Sequence, residues 1–267
     1  MPVVQGKNGV QLFVYDPNPK GKEAIVMVHG WPLNHTMYEY QYQMLSQYRC
    51  VIPDLRGFGK SGAPFTGYSY DDFADDLILT VRQLRLEHFI LVGFSMGGAI
   101  ALHYMKRHKG YGVKKLVLMS AAAPSFTRQP DFPYGLEKST VTELINQGTG
   151  NRPEMLKAFG ELFFRPAEGE AFRSWITGIG YGASMSGTIK SLYTLRDADL
   201  LDDTRFVKAP TGIFHGRLDR ICLYEIGVQL HERIRGSHLY TFEKSGHCIF
   251  HDELDKFNHQ LYEFIRA

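Results

Sequence analysis

The stretch LVGFSMGGAIAL, residues 91–102, decides the reading of this chain. Leu91 and Val92 close an apolar run that begins at Phe89 and has the look of a buried strand. From Met96 onward the residues are small or helix-favouring, and Ser95 stands at the joint. Gly93-Phe94-Ser95-Met96-Gly97 fits G-x-S-x-G, the sharp strand-to-helix turn that lifts a serine hydroxyl out at the end of a strand. Five residues are a weak match by themselves; the strand before and the helix after give this one its weight. Gly98 and Ala99 continue the small surface, so the helix can pack closely on its neighbours, and the N–H of Met96 points into the same space as the hydroxyl.

Outward from this point, short apolar runs alternate with amphipathic segments. VQLFVYD (10–16), AIVMVHG (24–30), RCVIPD (49–54), KKLVLMS (114–120), TGIFHG (211–216) and HLYTFE (238–243) read as strands beside FILVGF (89–94). Met37, Tyr40 and Met44 share one helical face. So do Phe73, Leu77, Val81 and Leu84, behind a capping-type start at Ser69–Asp72. Leu223, Ile226, Leu230 and Ile234 form a third stripe, and Leu254, Phe257, Leu261 and Phe264 the last. Fully apolar strands alternating with helices predict an α/β fold with a mostly parallel central sheet and helices on both faces. The rhythm breaks between Pro124 and Val207, too long a stretch for a plain connection. Helical segments at 153–164 and 170–183 with no obvious strand predict a helical cap at 124–207, inserted into a core of 1–123 and 208–267.

The bulk properties exclude several classes. A chain of 267 residues, 44% of them hydrophobic, can bury one large core. Thirty Lys and Arg against 28 Asp and Glu, net +2, offer no electrostatic ground for nucleic acid or an anionic membrane as partner. No apolar run is long enough to span a bilayer, and the first residues have no signal-peptide pattern. Three widely spaced cysteines, Cys50, Cys222 and Cys248, suit a reducing compartment and fit neither a disulfide framework nor a zinc site. The expectation is a cytoplasmic globular protein without metal or cofactor, monomeric or homo-oligomeric. GFGKSG (57–62) imitates nucleotide-binding loops. Asp54 stands where the first glycine of a phosphate loop belongs, and Ala63-Pro64-Phe65 follows where a dinucleotide loop needs a helix. It reads as a surface turn fixed by Asp54 and Arg56. The basic run KRHKG (106–110) reads as a solvated helix end.

A serine hydroxyl is a poor nucleophile until a base takes its proton. In the order Ser…Asp…His, the partners belong in loops after later strands. Asp219 follows TGIFHG and His247 follows HLYTFE, on the same edge of a parallel sheet as Ser95. His251, the nearest rival, reads as solvent-facing at the start of the last helix; His29 and His215 each precede a glycine at a strand end and read as backbone partners. Asp197, Asp202 and Asp203 belong to the cap or its exit, and Cys248 reads as packing. A tetrahedral intermediate needs two donors for its oxygen. The N–H of Met96 is one, and the loop HGWP (29–32) supplies the other through the N–H of Trp31.

With HGWP, DLRGFGKSG, GFSMGG, HGRLDR and SGHCIF in this order, the chain resembles the α/β-hydrolase superfamily along nearly its whole length. Within it, HGWP with GFSMGG resembles the cofactor-free haloperoxidase (perhydrolase) and arylesterase group. The resemblance implies Ser95 as nucleophile, His247 as base, Asp219 as its orienting acid, and Trp31 and Met96 as oxyanion donors. Phe126, Phe159, Phe163 and Ile221 resemble acyl-pocket residues, with packing inside the cap as the other reading of each phenylalanine. Proline at 32 biases Trp31 towards an extended backbone, which would aim the Trp31 carbonyl at an incoming peroxide; a plain rigid turn is the alternative. The expected function is hydrolysis of small apolar or aryl esters through an acyl-enzyme, with peracid formation when hydrogen peroxide replaces water. A lactone, enol-lactone or C–C substrate uses the same residues. A ligand receptor or signalling module on the same fold is the reading from another class. Serine at the elbow argues against dehalogenases and epoxide hydrolases, which use a carboxylate.

Overall fold

The computed structural model describes residues 1–164 and 169–267. Eight strands form one sheet: β1 (Val3–Gln5), β2 (Gln11–Tyr15), β3 (Ala24–Val28), β4 (Arg49–Pro53), β5 (Phe89–Phe94), β6 (Val113–Met119), β7 (Thr211–Gly216) and β8 (His238–Phe242). Their order across the sheet is β1-β2-β4-β3-β5-β6-β7-β8. The β1–β2 and β2–β4 pairs are antiparallel, and every pair from β4 to β8 is parallel. β3, β5 and β7 are buried at every residue, as strands covered on both faces must be.

The helices of the core are α1 (Glu39–Met44), α2 (Tyr70–Gln83) and α3 (Met96–Arg107), then α7 (Tyr224–Arg233), α8 (Ile249–Asp252) and α9 (Leu254–Arg266) after the excursion. α2 begins with a full capping box: the Ser69 hydroxyl accepts from Asp72 N–H, and Asp72 accepts from Ser69 N–H. α3 lies directly on β3. A Cβ at Gly97 would sit 2.2 Å from the Val28 carbonyl oxygen and 2.6 Å from that of His29. Only glycine allows this approach, which brings the elbow to the end of β3.

Between β6 and β7 the chain makes its helical excursion: α4 (Lys138–Gly160), α5 (Glu170–Tyr181), α6 (Met185–Asp197) and a short 3-10 segment, Leu201–Phe206. The helix expected over 153–164 starts earlier, at Lys138, and runs across a kink at Asn151 (φ −146°, ψ 80°) just before Pro153. The rest of that stretch, 161–164, lies beyond α4's end. α6 is not evident in the sequence because its buried face is Gly187, Thr188, Ser191, Leu192 and Leu195, mostly small or hydroxylated. β1, three residues long, is too short to show a pattern.

The GFGKSG segment is a turn held by Asp54, as expected, but Arg56 makes no bond within it and Gly57 and Phe58 are buried rather than at the surface. Gly57 N–H bonds to the Gly62 carbonyl at 2.9 Å, and Asp54 accepts from Lys60 N–H at 2.8 Å. Arg56, almost fully buried, forks onto both oxygens of Asp76 at 2.6 Å each. The basic end of α3 is not simply solvated: Lys106 pairs with Asp203 and Arg107 with Asp71 and Asp75. No helix among the described residues is long and apolar enough to cross a membrane.

Candidate active site

The elbow is strained where a nucleophile elbow must be. Ser95 has φ 53° and ψ −118°, a left-handed backbone that is costly for a residue with a Cβ. Its surroundings hold it there. Ser95 N–H donates to the Met119 carbonyl at 2.9 Å, and its own carbonyl accepts from Gly98, Ala99 and Ala122. The Ser95 side chain is buried against the HGWP loop: a Cβ at Gly30 would come 2.9 Å from the Ser95 Cβ.

The loop after β8 carries His247 beside the same turn. The Ser120 hydroxyl donates to the His247 carbonyl at 3.1 Å, so the exit of β6 grips both Ser95 and His247. The imidazole packs on the Phe94 ring, centroids 4.8 Å apart, and edge-on to Phe163 at 5.3 Å. Its Nδ1 lies 2.7 Å from Asp219 Oδ2. A carboxylate only accepts, so Nδ1 carries the hydrogen and Nε2 is the basic nitrogen. That Nε2 is buried and has no hydrogen-bond partner. Two residues not singled out in the sequence hold this loop: Asp252 accepts from Gly246 N–H at 2.7 Å, and Glu253 accepts from Lys244 N–H and the Ser245 hydroxyl. Carboxylates five and six residues after a candidate histidine were the available signal. His251 is not turned to solvent; it stacks on Phe172, ring centroids 3.2 Å apart. Aromatic stacking against the cap outcompetes hydration there.

Asp219 is fully buried, and burial alone would raise its pKa. The His247 charge, with hydrogen bonds from His215 and His247, outweighs that and holds it at about 2. Its other oxygen, Oδ1, accepts from Ile221 N–H at 2.8 Å and Cys222 N–H at 2.9 Å. The Cys222 thiol lies against the Ser95 side chain, and burial pushes its pKa well above the ordinary thiol range. It stays protonated and is no rival nucleophile. His29 and His215 do bond backbone. His29 Nε2 accepts from Leu55 N–H and Nδ1 donates to the Gly30 carbonyl, and burial lowers its pKa to about 4.

Trp31 stands three residues after β3 and is joined to Pro32 by a cis peptide bond, its indole N–H anchored on the Thr188 carbonyl of α6 at 3.0 Å. Among the described residues no acceptor takes the backbone N–H of Trp31 or of Met96. Phe159 stands edge-on to both Trp31 (4.8 Å) and Phe163 (5.4 Å). Pro32, Leu33, Phe159, Phe163 and Ile176 line a narrow apolar cleft with room for about one water. Phe126 is buried beside Gly135 and makes no ring contact with these groups among the described residues. Ile221 is buried and bonds Asp219 through its backbone. Among the described residues no three His, Cys, Asp or Glu side chains gather as a metal site would require.

A strained serine between sheet and helix, a histidine–carboxylate pair and free backbone donors on one rim of a doubly covered parallel sheet define a class of fold and site. Residues 23–137 match the alpha/beta hydrolase fold family. The chain is 43% identical to the AB hydrolase superfamily protein YisY of Bacillus subtilis (strain 168), over 99% of this chain and 98% of that one. The solved esterase EaEST from Exiguobacterium antarcticum superposes with a TM-score of 0.96 at 42% identity, covering 99% of each chain. A bromoperoxidase from Bacillus anthracis superposes at 0.93 with 30% identity, over 100% of this chain and 99% of that one. The chain belongs to the α/β-hydrolase superfamily, close to YisY and to the non-heme haloperoxidases and esterase–perhydrolases.

Proposed function

We propose that this hydrolase cleaves small apolar or aryl carboxylic esters through an acyl-enzyme on Ser95. The observation that carries the reading is the imidazole of His247. One nitrogen is bound to a buried, ionised Asp219, and the other is buried without a partner beside the elbow. Nε2 takes the Ser95 proton as Oγ attacks the ester carbonyl, and Asp219 stabilises the imidazolium. The developing oxyanion is met by the N–H groups of Trp31 and Met96. His247 then protonates the leaving alcohol, and the alcohol departs. Water attacks the acyl-Ser95 carbonyl as Nε2 takes its proton; the tetrahedral intermediate then collapses, Nε2–H returns the proton to Ser95 Oγ, and the acid leaves.

The preference for a short acyl group is supported by the aromatic crowding beside Trp31, where Phe159 stands edge-on to its ring, with the cap of 124–207 setting the limit. The test is a panel of phenyl and p-nitrophenyl esters of increasing acyl length, with lactones beside them. Acetyl esters turn over fastest, and Ser95→Ala abolishes turnover. Rates barely above buffer on every substrate, with tight binding of one ligand, would overturn the reading in favour of a receptor; preference for a lactone or a C–C substrate would relocate it within the superfamily.

A second reading concerns the acceptor. Pro32 lines the cleft, and the likeness to haloperoxidases supports hydrogen peroxide as an alternative to water. Peroxide attacking acyl-Ser95 yields a peracid and free serine, with no metal or cofactor. Pro32→Leu lowers the ratio of peracid to acid; an unchanged ratio removes this reading.

A further inference from the structure

We propose that His215 is a positioning residue for Asp219, acting through its Nε2–H on the turn that holds the carboxylate. This rests on the reading of Asp219 as the partner of the catalytic base. His215 lies in β7 with no exposed surface. Its Nε2 is 2.7 Å from the Cys222 carbonyl and 3.5 Å from Asp219 Oδ2. A carbonyl only accepts, so Nε2 bears the hydrogen and Nδ1 of the neutral ring is a bare acceptor.

That bare nitrogen is the telling feature. It is buried and has no hydrogen-bond partner. It faces α7 where a Cβ at Gly227 would come within 2.5 Å of it, so no donor side chain from that position can reach it. A buried unmet acceptor is a cost that a phenylalanine of similar size would avoid. What the imidazole supplies in return is its other edge. Nε2–H pins the Cys222 carbonyl, and the Cys222 N–H in turn donates to Asp219 Oδ1 at 2.9 Å. The same hydrogen lies near Oδ2, the oxygen that holds His247. The groups facing this pair are the His247 imidazole, the Cys222 thiol and the Tyr224 ring, 6.0 Å from His215 between centroids.

The test compares two amides. Glutamine places its NH2 where Nε2 stands and can still reach the Cys222 carbonyl; asparagine is too short and places its amide near the Nδ1 side, against Gly227. His215→Gln keeps kcat on phenyl acetate within about threefold of the unaltered enzyme. His215→Asn lowers kcat by on the order of 10²-fold, the scale of a misplaced catalytic group. It leaves KM little changed. With the Nε2–H dipole gone, Asp219 attracts the His247 proton more strongly, so the acidic limb of the kcat/KM pH profile moves to higher pH in His215→Asn and stays in place in His215→Gln. Ser95→Ala in the same assay separates the two claims: surviving turnover there sinks the serine mechanism itself. If Ser95→Ala is dead while the two His215 variants have equal kcat and the same acidic limb, only the positioning role is overturned. Should His215→Asn fail to fold, His215→Phe takes its place, with the same loss of kcat and shift of the limb expected and the same equality overturning the proposal.

Discussion

A carboxylate with no exposed surface stays charged only if the protein supplies what water would have given, and Asp219 receives that from four donors. Two are backbone N–H groups on Oδ1, and two are imidazoles near Oδ2. Removing the charge while keeping the shape, Asp219→Asn, lowers kcat by about 10⁴-fold, because the amide favours the wrong tautomer of His247. Steady-state kinetics on phenyl acetate check it. The same charge has a stability signature. Its folded pKa is depressed from 3.8 to about 2, so its contribution is present above pH 4 and lost as the pH falls towards 2. His29 acts at milder pH. Its folded pKa drops from 6.5 to about 4, so between these values the unfolded chain binds more protons and stability rises with pH. The contribution is on the order of 3 kcal/mol, complete above pH 6.5 and lost as the pH falls through 4. Urea midpoints measured between pH 4 and 7 show this slope, and His29→Gln flattens it.

At the scale of elements, the decisive contact is α3 on β3. Gly97→Ala drives a methyl into two backbone carbonyls that cannot move independently of the sheet. It costs about 3 kcal/mol or more, read as a fall in Tm and in activity together. Gly178 is the opposite case: it lies inside α5, and a Cβ there meets nothing within 4 Å. Gly178→Ala raises stability by up to about 1 kcal/mol, the helix propensity gained, with activity unchanged. These elements also show what was legible in the chain. Of the strands at the site, β3 and β5 are nearly unbroken apolar runs, and each of β3, β5, β7 and β8 appears within a residue or two of its expected place. Ser95, Asp219 and His247 are expected together because parallel strands put their exits on one edge; the structure brings His247 Nδ1 to 2.7 Å from Asp219 and packs the imidazole on Phe94, the residue before Ser95. α6 could not be picked out, because Gly187, Thr188 and Ser191 on its buried face leave only Leu192 and Leu195 to mark a hydrophobic stripe. The supports of the His247 loop, Asp252 and Glu253, were hidden for another reason. Their role lies in a fold-back of the chain onto itself, which no periodicity announces.

Across the whole molecule, the helical excursion is fastened to three loops of the candidate site, those of Trp31, Asp219 and His247. Trp31 reaches α6 through its indole, the Phe163 carbonyl accepts from Cys248 N–H at 3.0 Å, and Arg220 donates to the Glu161 carbonyl at 2.8 Å. Phe159 stands between these ties and the cleft. Phe159→Ala therefore opens space beside Trp31 and shifts the fastest substrate from acetyl towards butanoyl esters by about tenfold or more in relative kcat/KM, since each methylene in an apolar pocket is worth about 1–3 kcal/mol. Parallel activity loss on all chain lengths would show instead that the ring only supports packing. The excursion leaves the sheet at β6 and returns at β7, and these two strands lie side by side in register, Leu116 against Thr211 and Met119 against Phe214. A detour between adjacent rails can lengthen, shorten or be exchanged without moving either rail. Under the proposed function, the residues that would break the bond and the excursion that would limit the acyl group are thus separately editable, and an excursion grafted from a relative onto these two strands would inherit an intact site.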